Sequence, residues 1–321
     1  MSEPSKGGSI RRSRAILRAA FQTLRRNPRL AWFPILSGLG MVALMLAGGA
    51  IVGLGTAVSE HSISGVESVV GAVSFGDHGD PAITRAASIG GILLFVGGHL
   101  LMVGIGVAMT HAALEALAGR PWSVRGSLRV ASQRRRAVAT FALIQAVVSH
   151  VLRGGGSRKG KRGRRRRPGL FRRLAQFAWW ALTYLALPVI AREGRGGIAA
   201  IERSASLLRE TWKETVVARL TLRWLWVPAI LLSVVPVVLC AALGLRDPVL
   251  LTVTVAIPLF GLGVLGLVIH TLDGIYRAAL YTYATEGVVP EAFVHDDLDE
   301  IWETRVATGE VIDAEEVDRE D

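Results

Sequence analysis

The sequence has almost no cysteine, one residue (Cys240) in 321. An intrachain disulfide is therefore excluded, and cysteine usage indicates no redox compartment. Signatures of common active sites are also missing, since the chain holds no Gly-x-Ser-x-Gly, no His-Glu-x-x-His and no Cys-x-x-Cys. We therefore expect a protein that is not an enzyme, with no catalytic residues, no cofactor and no bound metal.

Acidic residues are scarce over most of the chain. Residues 1–283 carry 35 Lys/Arg and 12 Asp/Glu, whereas residues 284–321 carry 2 and 14. A basic body with an acidic tail is typical of a protein that faces anionic lipid from inside the cell. We expect the lipid bilayer and its anionic phospholipids as partners, with a protein partner as the alternative. Nucleic acid is not expected, because no aromatic side chains interrupt the basic run.

Apolar residues are abundant, at 51% of the chain with a mean hydropathy of +0.41, and they come in blocks. A membrane-spanning helix needs about 20 such residues. The predicted spans are 32–58, 86–114, 137–152, 174–191, 224–245 and 248–271, of which the third and fourth are short. The first block is longer than a signal-peptide core, so we expect an uncleaved span. The predicted fold class is all-α, a bundle of about six transmembrane helices.

One basic segment occurs twice. The segment 10–21 returns as 201–212 with five identical positions of twelve and an aromatic residue at the end of each copy. Each copy leads into an apolar block that opens with Trp-x-Pro. The pattern predicts amphipathic interfacial helices at 10–26 and 199–217; the alternative is that these helices pack on other parts of the protein.

The duplication predicts an internal repeat of one interfacial helix and two spans. Similar residues follow the even-numbered spans, at Ala118-Gly119-Arg120, Glu193-Gly194-Arg195 and Glu286-Gly287-Val288. The predicted units are 1–118, a diverged 119–193, 194–290, and an acidic, partly disordered tail at 291–321.

The distribution of Lys and Arg predicts the orientation of the chain. Residues 1–31 are basic and residues 59–85 are acidic, which places both termini in the cytoplasm and the protein in the cell membrane as a multi-pass protein. The loop 153–173 conflicts with this scheme, because it holds 11 Lys/Arg and no acid yet would face outward if 137–152 crosses the membrane fully.

Two sets of candidate site residues follow from these patterns. The arginines of the basic segments are candidates for lipid contact: Arg11, Arg12, Arg18, Arg164, Arg165, Arg166, Arg167, Arg203 and Arg209. His270 and Asp273 lie three residues apart at the end of the last span, and Pro236 and Pro258 interrupt the last two spans. These four residues are a candidate polar gate for transport, although a hydrogen-bonded polar cap and ordinary bundle packing also explain them.

The chain resembles a family of uncharacterised prokaryotic membrane proteins. The resemblance rests on the run Ser204–Trp212, on the Pro188-Val-Ile-Ala-Arg-Glu-Gly segment before it, and on Gly274–Ala284 with Gly287 and Pro290. It implies about six spans and no known activity. More distantly, the chain is similar to the membrane domain attached to some glycerophosphodiester phosphodiesterases. The arginine-rich loop 153–173 departs from the family pattern.

The sequence therefore predicts a non-enzymatic membrane protein that contacts anionic lipid or organises a partner at the inner leaflet. The alternative is a small-solute or lipid transporter that uses the proline-kinked fifth and sixth helices.

Overall fold

The computed structural model describes residues 18–58, 81–154, 170–210 and 248–287, together with isolated residues between 230 and 240. Every regular element in these ranges is helical, and no strand occurs in them. The all-α fold class predicted from the sequence is confirmed.

The first part of the described chain contains a short helix and two long ones. Residues 18–26 form α1, a 3-10 turn covers Pro28–Ala31, and α2 runs over Trp32–Val58. Pro28 opens the turn, a position where its missing N–H is not needed. Helix α3 runs over Pro81–Leu117. Its 37 residues rise about 55 Å, nearly twice the thickness of a bilayer's hydrocarbon core.

Helices α2 and α3 form an antiparallel pair in which glycines face large apolar side chains. A Cβ built at Gly97 would lie 3.2 Å from Leu44, and one built at Gly48 would lie 3.0 Å from Leu94. Along the contact, residue numbers therefore decrease in α3 as they increase in α2, as expected for antiparallel helices. Glycine at such positions lets two membrane helices approach closely, which explains the glycine content of these spans.

The middle of the chain folds into shorter helices. They are α4 (Val124–Gln133), α5 (Arg135–Gly154), α6 (Leu170–Thr183) and α7 (Ala186–Glu193). Helices α5 and α6 are joined by two side-chain hydrogen bonds. Trp179 Nε1 donates to Gln145 Oε1 at 2.7 Å, and Gln176 Nε2 donates to the Leu152 carbonyl at 3.3 Å. Of the predicted loop 153–173, residues 155–169 lie outside the described residues, whereas 153–154 end α5 and 170–173 begin α6.

Two further helices complete the described chain, α8 (Ile198–Glu210) and α9 (Pro248–Glu286). The predicted span 224–245 lies largely outside the described residues. One of its described residues, Cys240, has its sulfur 3.5 Å from Thr254 Oγ1 of α9. The predicted helix 199–217 is described only to its residue 210, where α8 ends.

Three helices end on a glycine in the left-handed conformation. Gly119, Gly194 and Gly287 have φ of 67°, 73° and 67°. The N–H of Gly194 donates to Ile190 O at 3.2 Å, and that of Gly287 donates to Tyr283 O at 3.0 Å. A left-handed glycine is a common helix C-cap, because it has no Cβ to clash. These glycines lie in the three similar segments that follow the even-numbered predicted spans. The internal repeat itself stays a prediction.

Arg134 reinforces the end of α7. Its two terminal nitrogens donate to the carbonyls of Ile190 and Arg192, the second at 3.1 Å. These carbonyls belong to the last turn of α7, where backbone acceptors outnumber backbone donors, and that of Ile190 also accepts from Gly194 N. A cation there also interacts favourably with the negative end of the helix dipole.

Five described helical segments are long and apolar enough to cross a membrane. They are Pro28–Ile51, Ile89–Leu117, Arg135–Leu152, Phe171–Glu193 and Thr252–Glu286. The chain is therefore a membrane protein with several candidate spans.

The chain divides into two compact units. One unit consists of Met1–Trp32, Met109–Val124 and Ser206–Asp321. The other consists of Phe33–Ala108 and Arg125–Ala205. Each unit draws on segments that are far apart in the sequence.

Candidate functional site

The second half of α9 is buried on nearly every side. Ile269, Leu272, Ile275, Tyr276 and Leu280 are all at most 9% exposed, and the buried residues between 269 and 284 cover more than one helix face. A helix segment with this burial is surrounded by protein rather than lying on its surface. The end of α9 is therefore part of a packed interior.

Three ionisable residues form the accessible side of this buried segment. His270 is exposed, while the side chains of Asp273 and Arg277 keep only 18% and 22% of their exposure. Their spacing of three and four residues puts them on one face of the helix. We call His270, Asp273 and Arg277 the ionisable strip.

Asp273 and Arg277 form an ion pair one helical turn apart, in which Arg277 Nη2 donates to Asp273 Oδ2. The pair compensates two charges that would be expensive to hold singly at the end of an apolar helix. His270 and Asp273 were predicted from the sequence as candidate site residues, whereas Arg277 was not. The signal was present, because Asp273-x-x-x-Arg277 is the spacing of a helical ion pair.

Small and polar residues of α9 next to the strip pack closely against their neighbours. Gly274 faces Met109, and a Cβ at this position would overlap the end of that side chain. Thr271 is fully buried, and its hydroxyl donates to Leu267 O at 2.8 Å. The helix positions next to the strip are therefore buried and tightly packed.

The described histidines do not form a metal site. No group of three His, Cys, Asp or Glu side chains that could hold a metal ion occurs among the described residues. His99 Nδ1 lies 2.7 Å from Phe95 O, and the rings of His99 and His150 lie 4.7 and 5.8 Å from the Phe95 ring. The contacts of His99 lie within α3, and that of His150 packs α5 against α3.

Helix α1 exposes arginines on both sides of an aromatic ring. Arg18, Arg25 and Phe21 are exposed, Phe21 by 52%. The opposite side is made of small residues, since Ala19, Ala20 and Thr23 are buried. The predicted lipid-contacting residues Arg11 and Arg12 lie outside the described residues.

A second group of exposed arginines lies on α4 and at the start of α5. Arg125, Arg129, Arg135 and Arg136 are exposed, and none of them is in an ion pair within the described part of the chain. The other side of α4 is buried through Ser127 and Ala131. We call these four residues the α4–α5 arginine cluster.

The predicted lipid-contacting arginines did not include this cluster. Its signal is the four-residue spacing of Arg125 and Arg129, which puts two cations on one helix face. No acid interrupts the run from Val124 to Arg136.

Helix α8 packs on protein through one face. Ala200, Ser204 and Leu207 are buried, and Ser204 Oγ accepts a hydrogen bond of 3.0 Å from Leu185 N. Of the predicted lipid-contacting residues, Arg203 Nε lies 3.2 Å from a carboxylate oxygen of Glu193. The contacts of Arg203 and Ser204 correspond to the alternative in which this helix packs on other protein.

The remaining predicted site residues are placed as follows. Arg209 is exposed on α8. Arg164, Arg165, Arg166 and Arg167 lie outside the described residues. Pro236 is partly exposed, and Pro258 lies inside α9 beside the exposed Ile257 and Leu259. Neither proline lies in the ionisable strip.

Comparison with known proteins places the chain in a family. A model of the family of unknown function DUF6159 matches residues 88–290. The chain belongs to this family. The resemblance to an uncharacterised membrane-protein family is confirmed to that extent. No curated protein and no solved structure matches the chain, and no link to glycerophosphodiester phosphodiesterases was found.

The DUF6159 match covers the structural features described above unequally. Both the α4–α5 arginine cluster and the ionisable strip fall inside residues 88–290, whereas α1 and the first span fall outside.

Proposed function

We propose that this protein is a non-enzymatic, multi-pass protein of the cytoplasmic membrane that binds anionic phospholipid at the inner leaflet. The observation that supports it is the α4–α5 arginine cluster, a group of exposed cations with no acid in the same helix. Guanidinium groups bind phosphate through paired hydrogen bonds. A lipid phosphate is the anion that a membrane protein meets at the end of its spans.

The positions of the arginines on α4 support this proposal. Ser127 and Ala131 are buried, so α4 rests on protein through one side. Arg125 and Arg129 are exposed on the other side, where they meet whatever surrounds the protein. A helix of this kind beside membrane spans suits a location at the headgroups.

The orientation is part of the proposal and rests on charge and aromatic residues. The basic residues before Trp32 and the acidic loop after α2 favour cytoplasmic termini. Trp32 is 54% exposed at the start of α2, as expected of a tryptophan at a membrane interface.

The internal repeat is also part of the proposal. The left-handed glycine caps at Gly119, Gly194 and Gly287 support it, because they share one local geometry at the three exits. The buried serines support it as well. Ser127 is the third residue after Val124 and Ser204 is the third after Ile201, and both are at most 1% exposed.

Transport ranks below lipid binding as a function. A transporter needs polar groups beside its broken helices. In the described part of α9, the residues next to Pro258 are the apolar Ile257, Leu259 and Phe260, all of which are at least 67% exposed. That composition suits contact with lipid tails.

Neutralisation of the α4–α5 arginine cluster tests lipid binding. We expect the double variant Arg125→Gln, Arg129→Gln to bind phosphatidylglycerol about tenfold to thirtyfold more weakly, because each near-surface charge contributes about 1 kcal/mol and 1.4 kcal/mol is a factor of ten. Native mass spectrometry of the detergent-solubilised protein, titrated with phosphatidylglycerol or phosphatidylcholine, measures the effect.

The matched control is Arg125→Lys, Arg129→Lys, which keeps both charges and should lose less than about threefold in affinity, since lysine also binds phosphate as a point charge. Equal phosphatidylglycerol binding by the glutamine variant and the unmodified protein would contradict the proposal. A matching helical circular dichroism spectrum shows that the variant is folded.

A further inference from the structure

The first compact unit combines exposed arginines with the origin of an acidic segment. Helix α1 and the turn after it expose Arg18, Arg25, Arg26 and Arg29, and none of the four is in an ion pair within the described ranges. The segment 288–321 follows α9 in the sequence, and α9 belongs to the same unit. This segment carries 13 acidic and 2 basic side chains, a net charge of −11.

Contacts within this unit join the end of α1 and the turn after it to the segment that follows α3 and to α9. Trp122 Nε1 donates to Asn27 Oδ1 at 3.2 Å, which fixes the end of α1 against the segment that follows α3. The turn Pro28–Ala31 contacts α9. The chain leaves α9 at Gly287, whose left-handed conformation ends the helix. The acidic segment therefore starts from the unit that holds the arginines.

The tail begins with a segment that is complementary to α1: it is acidic where α1 is basic, and both contain aromatic residues. Residues 291–303 contain six acidic side chains, at positions 291, 296, 297, 299, 300 and 303. They also contain Phe293 and Trp302. Helix α1 offers exposed arginines around Phe21, which is 52% exposed. Carboxylates pair with guanidinium groups, and aromatic rings pack on aromatic rings and on arginine.

We propose that residues 291–303 dock on the exposed face of α1 and shield its arginines from the membrane surface. The docking segment begins four residues after Gly287, and the 16 residues 288–303 reach at most about 55 Å when extended, so the segment can lie along the described part of α1, residues 18–26. Carboxylates next to an anionic leaflet are repelled by it, whereas carboxylates on α1 meet unpaired cations. The proposal does not depend on lipid binding by the α4–α5 arginine cluster, which lies on other helices.

Electron–electron distance measurement in the full-length protein tests the docking. With Cys240→Ser to remove the native thiol, spin labels are placed at the exposed Gln22 of α1 and at Thr304, as Gln22→Cys and Thr304→Cys. The protein is reconstituted in phosphatidylcholine nanodiscs and, separately, in nanodiscs that contain one fifth phosphatidylglycerol. We expect a narrow short-distance population in both membranes.

Neutralisation of the docking segment should release it. With Asp296→Asn, Asp297→Asn, Asp299→Asn and Glu300→Gln, we expect the ratio of docked to undocked label pairs to fall about tenfold, because exposed ion pairs contribute weakly one by one and four are removed together. The matched control removes four charges further along, with Asp313→Asn, Glu315→Gln, Glu316→Gln and Asp318→Asn. It should leave the short-distance population in place.

Three results would overturn the docking proposal. One is a broad distance distribution that neutralisation of residues 296–300 does not change. Another is an equal loss of short distances in the control at 313–318, because the attraction would then be unspecific. The third is separation of the labels in the nanodiscs with phosphatidylglycerol alone, which would identify anionic lipid as the occupant of α1. None of these results depends on the lipid affinity of Arg125 and Arg129, so the failures of the two proposals can be told apart.

Discussion

The two halves of α9 lie in different surroundings although both are apolar. In the first half, Ile257, Leu259 and Phe260 are 67%, 67% and 75% exposed. In the second half, Leu280 is fully buried and Tyr276 is 2% exposed. The first half suits contact with lipid tails, whereas the second half is surrounded by protein.

The comparison shows that hydropathy locates membrane-compatible helices without saying what covers them. The 39 residues of α9 rise about 58 Å, which exceeds a hydrocarbon core of about 30 Å. Part of the helix therefore lies beyond the hydrocarbon. The ionisable strip begins at His270, where the residues of α9 change from mostly exposed to mostly buried. In this part of the helix, Asp273 and Arg277 form an ion pair within the protein.

The largest expected difference is between one leucine in each half. We expect Leu280→Ala to lower the free energy of unfolding by about 2–5 kcal/mol, because it leaves a cavity in a packed interior. We expect Leu259→Ala to change it by less than about 1 kcal/mol, because lipid can cover the shortened side chain and is as apolar as leucine. Thermal unfolding in nanodiscs, followed by tryptophan fluorescence, measures both.

The two leucine variants remove the same atoms, so the difference between them isolates the surroundings. A loss of stability from Leu259→Ala as large as that from Leu280→Ala would show that the first half of α9 is covered by protein, for example by a second copy of the chain. Repetition at several protein concentrations separates that case from burial within one chain.

The next effect concerns the ion pair of the strip. We expect Arg277→Gln to lower the free energy of unfolding by about 1–3 kcal/mol, because it leaves the half-buried Asp273 carboxylate without its charged partner. The matched variant is Arg120→Gln, which breaks the 2.6 Å pair with Glu115 at a side chain that is 48% exposed. An exposed pair should contribute less than about 1 kcal/mol.

Salt dependence sharpens the ion-pair comparison. The effect of Arg120→Gln should decrease in high salt, whereas that of Arg277→Gln should persist, because screening acts weakly on partly buried pairs. Equal effects of the two variants at both ionic strengths would contradict the partial burial of the Asp273–Arg277 ion pair.

Much of the fold was predictable because apolar runs of membrane length leave few choices. Segments such as 32–58 contain no charged residue that would oppose insertion into a membrane, and Gly119, Gly194 and Gly287 mark helix ends because glycine can adopt the left-handed conformation. Which side of each helix is buried was not predictable in the same way. Helix α1 buries Ala19 and Ala20 and exposes Phe21, because small residues permit the close approach that decides packing.

The ionisable strip was predicted in part for a related reason. Asp273 stands out as a carboxylate at the end of an apolar run, and His270 precedes it by one turn. Arg277 reads in the sequence as the first cation after the span. Its four-residue spacing from Asp273 allows an ion pair, and the contact between the two side chains in the structure shows it.

The smallest expected effect compares two glycines of α9 and has opposite signs in the two halves. Gly263 has no atom within 4 Å of a built Cβ, so Gly263→Ala should stabilise the protein by up to about 1 kcal/mol through helix propensity alone. At Gly274, a Cβ overlaps the end of Met109, which is 2% exposed, so the buried side chain must repack to make room. Gly274→Ala should therefore destabilise the protein by about 1 kcal/mol, as overpacking does.

A double-mutant cycle decides whether the contact with Met109 causes the sign reversal. Met109→Leu shortens the side chain that the new methyl group would meet, so the pair Gly274→Ala, Met109→Leu should be more stable than the sum of the two single changes predicts. Additive effects would mean that the cost at Gly274 arises elsewhere. Stabilisation by Gly274→Ala alone would mean that the second half of α9 has free space beside it, and the contrast between the two halves of the helix would then be smaller than their burial indicates.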